Sequence, residues 1–413
     1  MTKANYKRIG EYIQLVDERN SGLKVKQLLG LSISKQFIPS VANIIGTDME
    51  NYKIIRKNQF ACSTMQVRRD KKMPVALLQE VDQAIISQAY PIFEVKDETR
   101  LLPEYLMMWF KRSEFDREAC FNAVGGVRGS LEWEDFTDMQ LPIPSITKQR
   151  EIIKEYHTIV NRIKLNQQLI QKLEETAQAI YKQWFVDFEF PDENGLPYKS
   201  NGGEMEESEL GEIPKGWEIK SLKSICSKIG SGSTPKGGKE SYHKTGISLV
   251  RSMNVYDFVF SSDDLAFLDD EQAKALDGVS LKKQDILLNI TGVSVARCCI
   301  VPGFILPARV NQHVMIIRPR AEYHLSNYLL CLLCYSDNKA KLLGISQSGS
   351  TREAITKEEV DGFKIVKPNE SIARSFDEKV SKILTKIEIK ILNNNKLNEI
   401  QNLLLSKLAT IEN

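Results

Sequence analysis

Two short loops of this chain share an unusual set of residue types. Gly125-Gly126-Val127-Arg128-Gly129-Ser130 and Ser348-Gly349-Ser350-Thr351-Arg352 each combine glycine, small hydroxyls and one arginine just before an apolar-patterned segment. Glycine lets a backbone approach an anionic oxygen, hydroxyls donate to it, and a guanidinium offers paired donors to a phosphate or to the edge of a guanine. The same residues also suit a loop that starts a helix, with each arginine paired to a nearby acid such as Glu132 or Glu353. The arginine is kept in both loops while most of its neighbours change, and this favours contact with nucleic acid by Arg128, Ser130, Ser350, Thr351 and Arg352.

Further polar candidates accompany the loops. Arg68, Arg69 and Lys71 belong to the densest basic run of the first half, which reads equally well as a solvated loop. Ser233 and Thr234 sit in Gly230-Ser-Gly-Ser-Thr-Pro, and Lys236 and Lys239 follow. Arg251, Asn254, Arg297, Arg309 and Asn311 complete the second set. Gln88 and Gln312 precede strand-like runs in the two halves; either could read a base, but satisfying buried backbone groups is the favoured expectation.

The chain that positions these residues is built twice. Arg128 and Arg352 are 352 − 128 = 224 residues apart, and the same offset links Leu131 to Ile355, Leu141 to Ile365, Pro144 to Pro368 and Glu175 to Glu399. Two similar halves suit a partner that is itself two-fold, such as a DNA duplex or a dimer. Residues 1–148 and 217–368 mix strand-like and helical patterns and read as two α+β domains. Between and after them, residues 149–186 and 369–413 carry long helical stripes: Ile152, Tyr156, Ile163, Asn166, Ile170, Ala177 and Trp184 in one, Phe376, Val380, Ile387, Asn394, Leu397 and Leu408 in the other. Such helices need something to bury their stripes against, and pairing with each other in antiparallel fashion would bring their polar midpoints together, Asn166 with Gln167-Gln168 in one and Lys390 with Asn393-Asn394-Asn395 in the other. Those midpoints facing solvent or another subunit is an equal expectation. Residues 187–216 hold nine acids against Lys199 and Lys215, with Pro, Gly and Asn, and read as a solvated linker.

Composition narrows the class. With 413 residues the chain is long enough for two cores. No signal-type segment opens it, the apolar run at 328–335 is too short to span a bilayer, and seven cysteines without scaffold spacing point to a reducing cytoplasm. A net charge of +2 says nothing about partners, so any basic surface must be local. Enzyme motifs fail. Gly238-Lys239 lacks the preceding glycine and following hydroxyl of a phosphate loop, no Pro-Pro dipeptide exists to hold a flipped base, and Cys331-Leu-Leu-Cys334 stands without a second pair or a histidine set. No catalytic residue, metal site or cofactor is expected.

The order of several short motifs resembles one family. "LPIPS…QREI" closes the first domain at 141–152, "LEETAQAIYKQWF" lies at 173–185, and "IPKGW" opens the second domain at 213–217. "GSTP" at 232–235, "LPARVNQHVMIIRP" at 306–319 and "GSTREAIT" at 349–356 follow. The whole chain resembles the specificity subunit of a type I restriction-modification system, although the first half lacks an "IPxGW" opening and a "GxTP" element. The resemblance implies two target-recognition domains separated by a pair of long antiparallel helices. It implies a non-catalytic chain that reads a bipartite, interrupted site in double-stranded DNA. The implied partners are two methyltransferase subunits, which methylate adenine, and restriction subunits that translocate DNA and cut it at the expense of ATP. Apolar residues near the helix ends exceed what one stripe requires, so Tyr181, Trp184, Phe185, Leu403 and Leu405 are expected to dock the methyltransferase subunits. The rival reading is a coiled-coil scaffold without DNA specificity.

Overall fold

The computed structural model of the chain describes residues 6–40, 47–126, 129–348 and 354–411. They form two compact units, one of residues 1–163 with 396–413 and one of residues 164–395.

The repeat is visible in the topology of each unit. The first contains an antiparallel four-stranded sheet in the order Ile13–Val16, Ile92–Val95, Phe60–Cys62, Val75–Leu77. The second contains the same arrangement, Cys226–Ser231, Val314–Pro319, Ile286–Asn289, Cys298–Ile300. A two-stranded ribbon closes each domain, Tyr6–Arg8 with Gln140–Pro142 in one and Glu218–Ser221 with Lys364–Lys367 in the other. Helices follow in matching order, from Pro103–Phe110 to Trp133–Asp138 and from Ser326–Cys334 to Lys357–Gly362. A buried tyrosine ties helix to ribbon in both: Tyr105 donates to the Pro142 carbonyl at 3.0 Å, and Tyr328 to that of Val366 at 2.5 Å. The halves diverge in their second sheets. Lys53–Arg56 pairs antiparallel with Gln83–Ile86, whereas Ile247–Val250 pairs parallel with Ala308–Val310.

The long helices run Ile146–Phe185 and Glu370–Lys407. The first begins three residues before the sequence pattern placed it and the second one residue inside its expected bounds, and a polar residue caps each start. Ser145 accepts from the Lys148 N–H at 3.4 Å through its hydroxyl, and Asn369 accepts from the Ile372 N–H at 3.0 Å through its side chain. Every named stripe residue is buried or half-buried.

In the second unit the helices pair antiparallel. Trp184 meets Phe376 with ring centroids 5.8 Å apart, and 184 − 166 = 18 residues back along one helix and 394 − 376 = 18 forward along the other, Asn166 donates to Asn394 at 2.8 Å. Both amides are buried, at 3% and 9% exposure, so the polar midpoints do come together inside the seam. In the first unit Ile152 and Tyr156 share a core cluster with Leu405 and Leu408.

Residues 187–216 are mostly exposed, as expected of a solvated segment, but they are ordered rather than a plain linker. Phe190 stacks on Tyr198 at 4.5 Å and on Trp217 at 5.0 Å, and Met205–Ser208 pairs with Gly211–Pro214 as a hairpin. Its aromatic residues bury enough apolar area, at about 1.5–3 kcal/mol for each fully buried large side chain, to order a stretch whose composition is otherwise polar. Among the described residues, no helix is long and apolar enough to cross a membrane, and no group of side chains could hold a metal ion.

Candidate nucleic-acid interface

Both arginine loops are anchored by equivalent hydrogen bonds. The Leu131 N–H donates to the Thr64 carbonyl at 2.9 Å, and the Ile355 N–H to the Ile290 carbonyl at 2.8 Å. Each bond joins the residue just after a loop to the chain leaving the third strand of the four-stranded sheet. Arg128, Ser350, Thr351 and Arg352 themselves lie outside the described residues. Their attachment points do not: Arg128 is three positions before Leu131, and Arg352 three before Ile355.

In the first unit the basic run meets this loop. The Arg68 guanidinium donates to the Gly125 carbonyl at 3.0 Å, and its backbone N–H to Gly129 at 3.4 Å. A Cβ at Gly129 would lie 2.9 Å from that of Arg68, which explains the glycine there. Arg69 is held by its neighbour Asp70 at 2.7 Å, and this hydrogen bond lowers the Asp70 carboxyl below its usual pKa. Lys71 is exposed, and the Ser130 backbone exchanges two 2.9 Å bonds with Val124. Phe121 stands 84% exposed, at the end of the Ser113–Asn122 helix. It stands off the buried face of that helix, which carries Phe115 and Ala119, and the sequence alone did not separate it from them.

In the second unit two candidate segments converge. The Gly232 N–H donates to the Val314 carbonyl at 3.0 Å and that of Ser233 to Val310 at 2.9 Å, laying the Gly-Ser-Thr-Pro loop on the turn that contains Gln312. A Cβ at Gly232 would sit 2.0 Å from the Val310 oxygen, so only glycine permits this approach. Ser233, Lys236 and Lys239 are exposed beside it, with Thr234 half-buried. Thr291 bridges to Ala354, where the second arginine loop returns. Its hydroxyl lies 2.7 Å from His313 Nδ1, a pairing between residues that sequence reading did not connect. Arg297 is half-buried, over the Tyr256 ring at 4.7 Å.

Several expectations are corrected by burial. Arg309 is a structural residue: its guanidinium donates to the Ala273 carbonyl and to Asp277, both at 3.0 Å, inside the fold. Asn254 is fully buried and bonds the Ser261 and Asp263 carbonyls at 3.0 Å. Asn311 is buried too and accepts from the His313 N–H at 3.2 Å, shaping the turn rather than facing outward. Arg251 is half-buried, donating to the Asp264 carbonyl beside the Tyr242 ring. Gln88 and Gln312 differ the other way: both are exposed, so neither serves buried backbone groups.

The docking set also changes. Tyr181, Trp184 and Phe185 lie inside the second unit's core against Trp217, Tyr328 and Phe376, where burial pushes the Tyr181 phenol well above its usual pKa. Leu405 is buried in the first unit's core. These side chains complete internal packing, so they are not available to a partner. Leu403 remains, at 62% exposure, and Leu165, Leu169, Ile389 and Ile400 are further exposed aliphatic residues on the same helices.

The model of the type I restriction modification DNA specificity domain matches residues 42–175 and again 214–402. The chain belongs to this family. A type I restriction enzyme HindI specificity subunit of Haemophilus influenzae is 21% identical to this specificity chain over 426 residues, covering 90% of each. The MjaIX specificity subunit of Methanocaldococcus jannaschii is 26% identical over 319 residues, 75% of this chain and 68% of that one. The crystal structure of a type I restriction-modification S subunit from M. genitalium shares the fold, with a TM-score of 0.55 at 14% identity over 99% of this chain and 96% of that one. Each matched stretch of this specificity chain includes most of one α+β domain and much of one long helix.

Proposed function

We propose that this specificity chain is the non-catalytic DNA reader of a type I restriction-modification complex. Each α+β domain reads one half of an interrupted site, and the long helices fix the unread gap. Exposed aliphatic residues on those helices, Leu403 among them, dock two methyltransferase subunits, and restriction subunits join the larger assembly. The relatives named above are called specificity subunits of type I restriction enzymes, and this supports the assignment of partners. One observation carries the reading: the same sheet order occurs twice, and in both copies the arginine loop is anchored at the same place on it.

The arrangement suits readout rather than chemistry. Exposed Ser233, Lys236 and Lys239 supply phosphate donors around a turn that presents an amide side chain, which is the division of labour between positioning and base recognition. Leu165 and Ile389 are 389 − 165 = 224 residues apart and both are exposed on the helices, as two copies of one partner would require. Titration of labelled duplexes with the chain and its methyltransferase subunits, across a salt series, tests the reading. A cognate duplex should bind about 10³-fold or more tighter than a scrambled one, and both affinities should fall steeply with salt. Equal affinity for the two duplexes would reject sequence reading.

A further inference from the structure

Gln312 sits at the apex of a turn that is fixed from several directions. The Asn311 N–H donates to the Val250 carbonyl at 3.0 Å, the Val314 N–H to Asn311 O at 3.2 Å, and the His313 N–H to the Asn311 side chain at 3.2 Å. The backbone beneath Gln312 is therefore held. Its side chain is held as well, since Gln312 Nε2 lies 3.3 Å from His313 Nε2, while His313 Nδ1 lies 2.7 Å from the Thr291 hydroxyl.

We propose that Thr291 and His313 form a positioning relay that orients the exposed amide of Gln312 to read an adenine in the half-site of the second domain. This rests on the DNA-reading function proposed above. In the neutral tautomer with hydrogen on Nδ1, His313 donates to the Thr291 oxygen and its Nε2 accepts one amide hydrogen of Gln312. The remaining amide hydrogen and the carbonyl oxygen then face outward as one donor and one acceptor. Adenine alone offers the matching pair in the major groove, N7 to accept and the N6 amine to donate. An amide fixed in advance spends less rotamer entropy on binding and cannot turn over to present the reversed pattern.

The first domain lacks the relay. There the equivalent turn is closed by the Ala89 N–H donating to the Ser87 hydroxyl at 3.3 Å, and alanine stands where the second domain has His313. Gln88 is exposed on the same kind of turn without a ring to hold it.

The test uses the full chain assembled with its methyltransferase subunits. The methylated motif of the wild-type complex is determined first, and then Kd for that site and for duplexes changed at each position of the second half-site. If wild type methylates no defined motif, the DNA-reading function itself fails. Given a motif, Gln312→Ala should abolish discrimination at one A·T pair, a loss of about 5- to 150-fold, and leave the first half-site unchanged. Thr291→Val should weaken discrimination at that same pair, while Thr291→Ser should keep it. Unchanged preference in a folded Gln312→Ala variant, loss at a G·C pair, or a Thr291→Val variant that reads like wild type would each overturn the relay.

Discussion

The buried Asn166–Asn394 pair offers the sharpest perturbation of the helix seam. The two amides bond each other at 2.8 Å, both of them buried in the seam. Asn166→Leu leaves the Asn394 amide without that partner, and an unsatisfied buried amide costs about 1–3 kcal/mol. The second unit spans 395 − 164 + 1 = 232 residues, a size at which 1 kcal/mol moves Tm by about 2–4 °C, so each single variant should melt roughly 2–12 °C below wild type. The double variant, Asn166→Leu with Asn394→Leu, removes both polar groups and should recover most or all of this loss. Thermal and urea unfolding of all four proteins, followed by tryptophan fluorescence, gives the coupling energy. With each single variant losing about 1–3 kcal/mol and the double near wild type, a coupling of about 2–6 kcal/mol is expected. A buried amide pair also fixes register, because an apolar seam tolerates slippage. The double variant should therefore methylate sites with more than one gap length. Additive single effects, or a double variant as unstable as the sum of both, would refute the reasoning.

Further outcomes follow from burial and charge. Arg128→Ala and Arg352→Ala should each weaken specific binding by about 1–3 kcal/mol and relax only one half-site; equal losses on random DNA would instead mark phosphate contacts. Tyr181→Asp buries a charge in the second core and should lower thermal stability strongly, whereas Leu403→Asp should leave Tm unchanged and reduce co-purification with the methyltransferase. Glu174 is raised from 4.5 to about 7 by burial first, then by Asp257 and Glu175. Its folded form holds the proton more tightly than the unfolded chain, so it should make stability fall as pH rises from about 4.5 to 7, and Glu174→Gln should flatten that slope in urea midpoints measured across the range.

The long helices were legible because a 3.6-residue period accumulates over about ten turns, and even the polar midpoints fell where the stripe placed them. The start of the first was missed by three residues because its cap, Ser145, lies outside the stripe. The site was less legible. Arg297 and Arg309 look alike in sequence, and only distant partners separate them: Tyr256 beneath the first, Asp277 and the Ala273 carbonyl around the second. The surplus of apolar residues near the helix ends was real, but Tyr181, Trp184 and Phe185 spend it on the core of the second unit, together with Phe376 and Tyr328. No periodicity links the aromatic residues of 187–216 to Trp217, so that segment read as polar when its core contacts are aromatic.

Long-read detection of methylated bases in cells carrying this chain with its methyltransferase subunits tests the central claim most directly. Two domains that each read one half of a site predict a single motif of two short, different half-sites around a gap of fixed length. A continuous motif, or methylation without sequence preference by a complex that assembles normally, would contradict it.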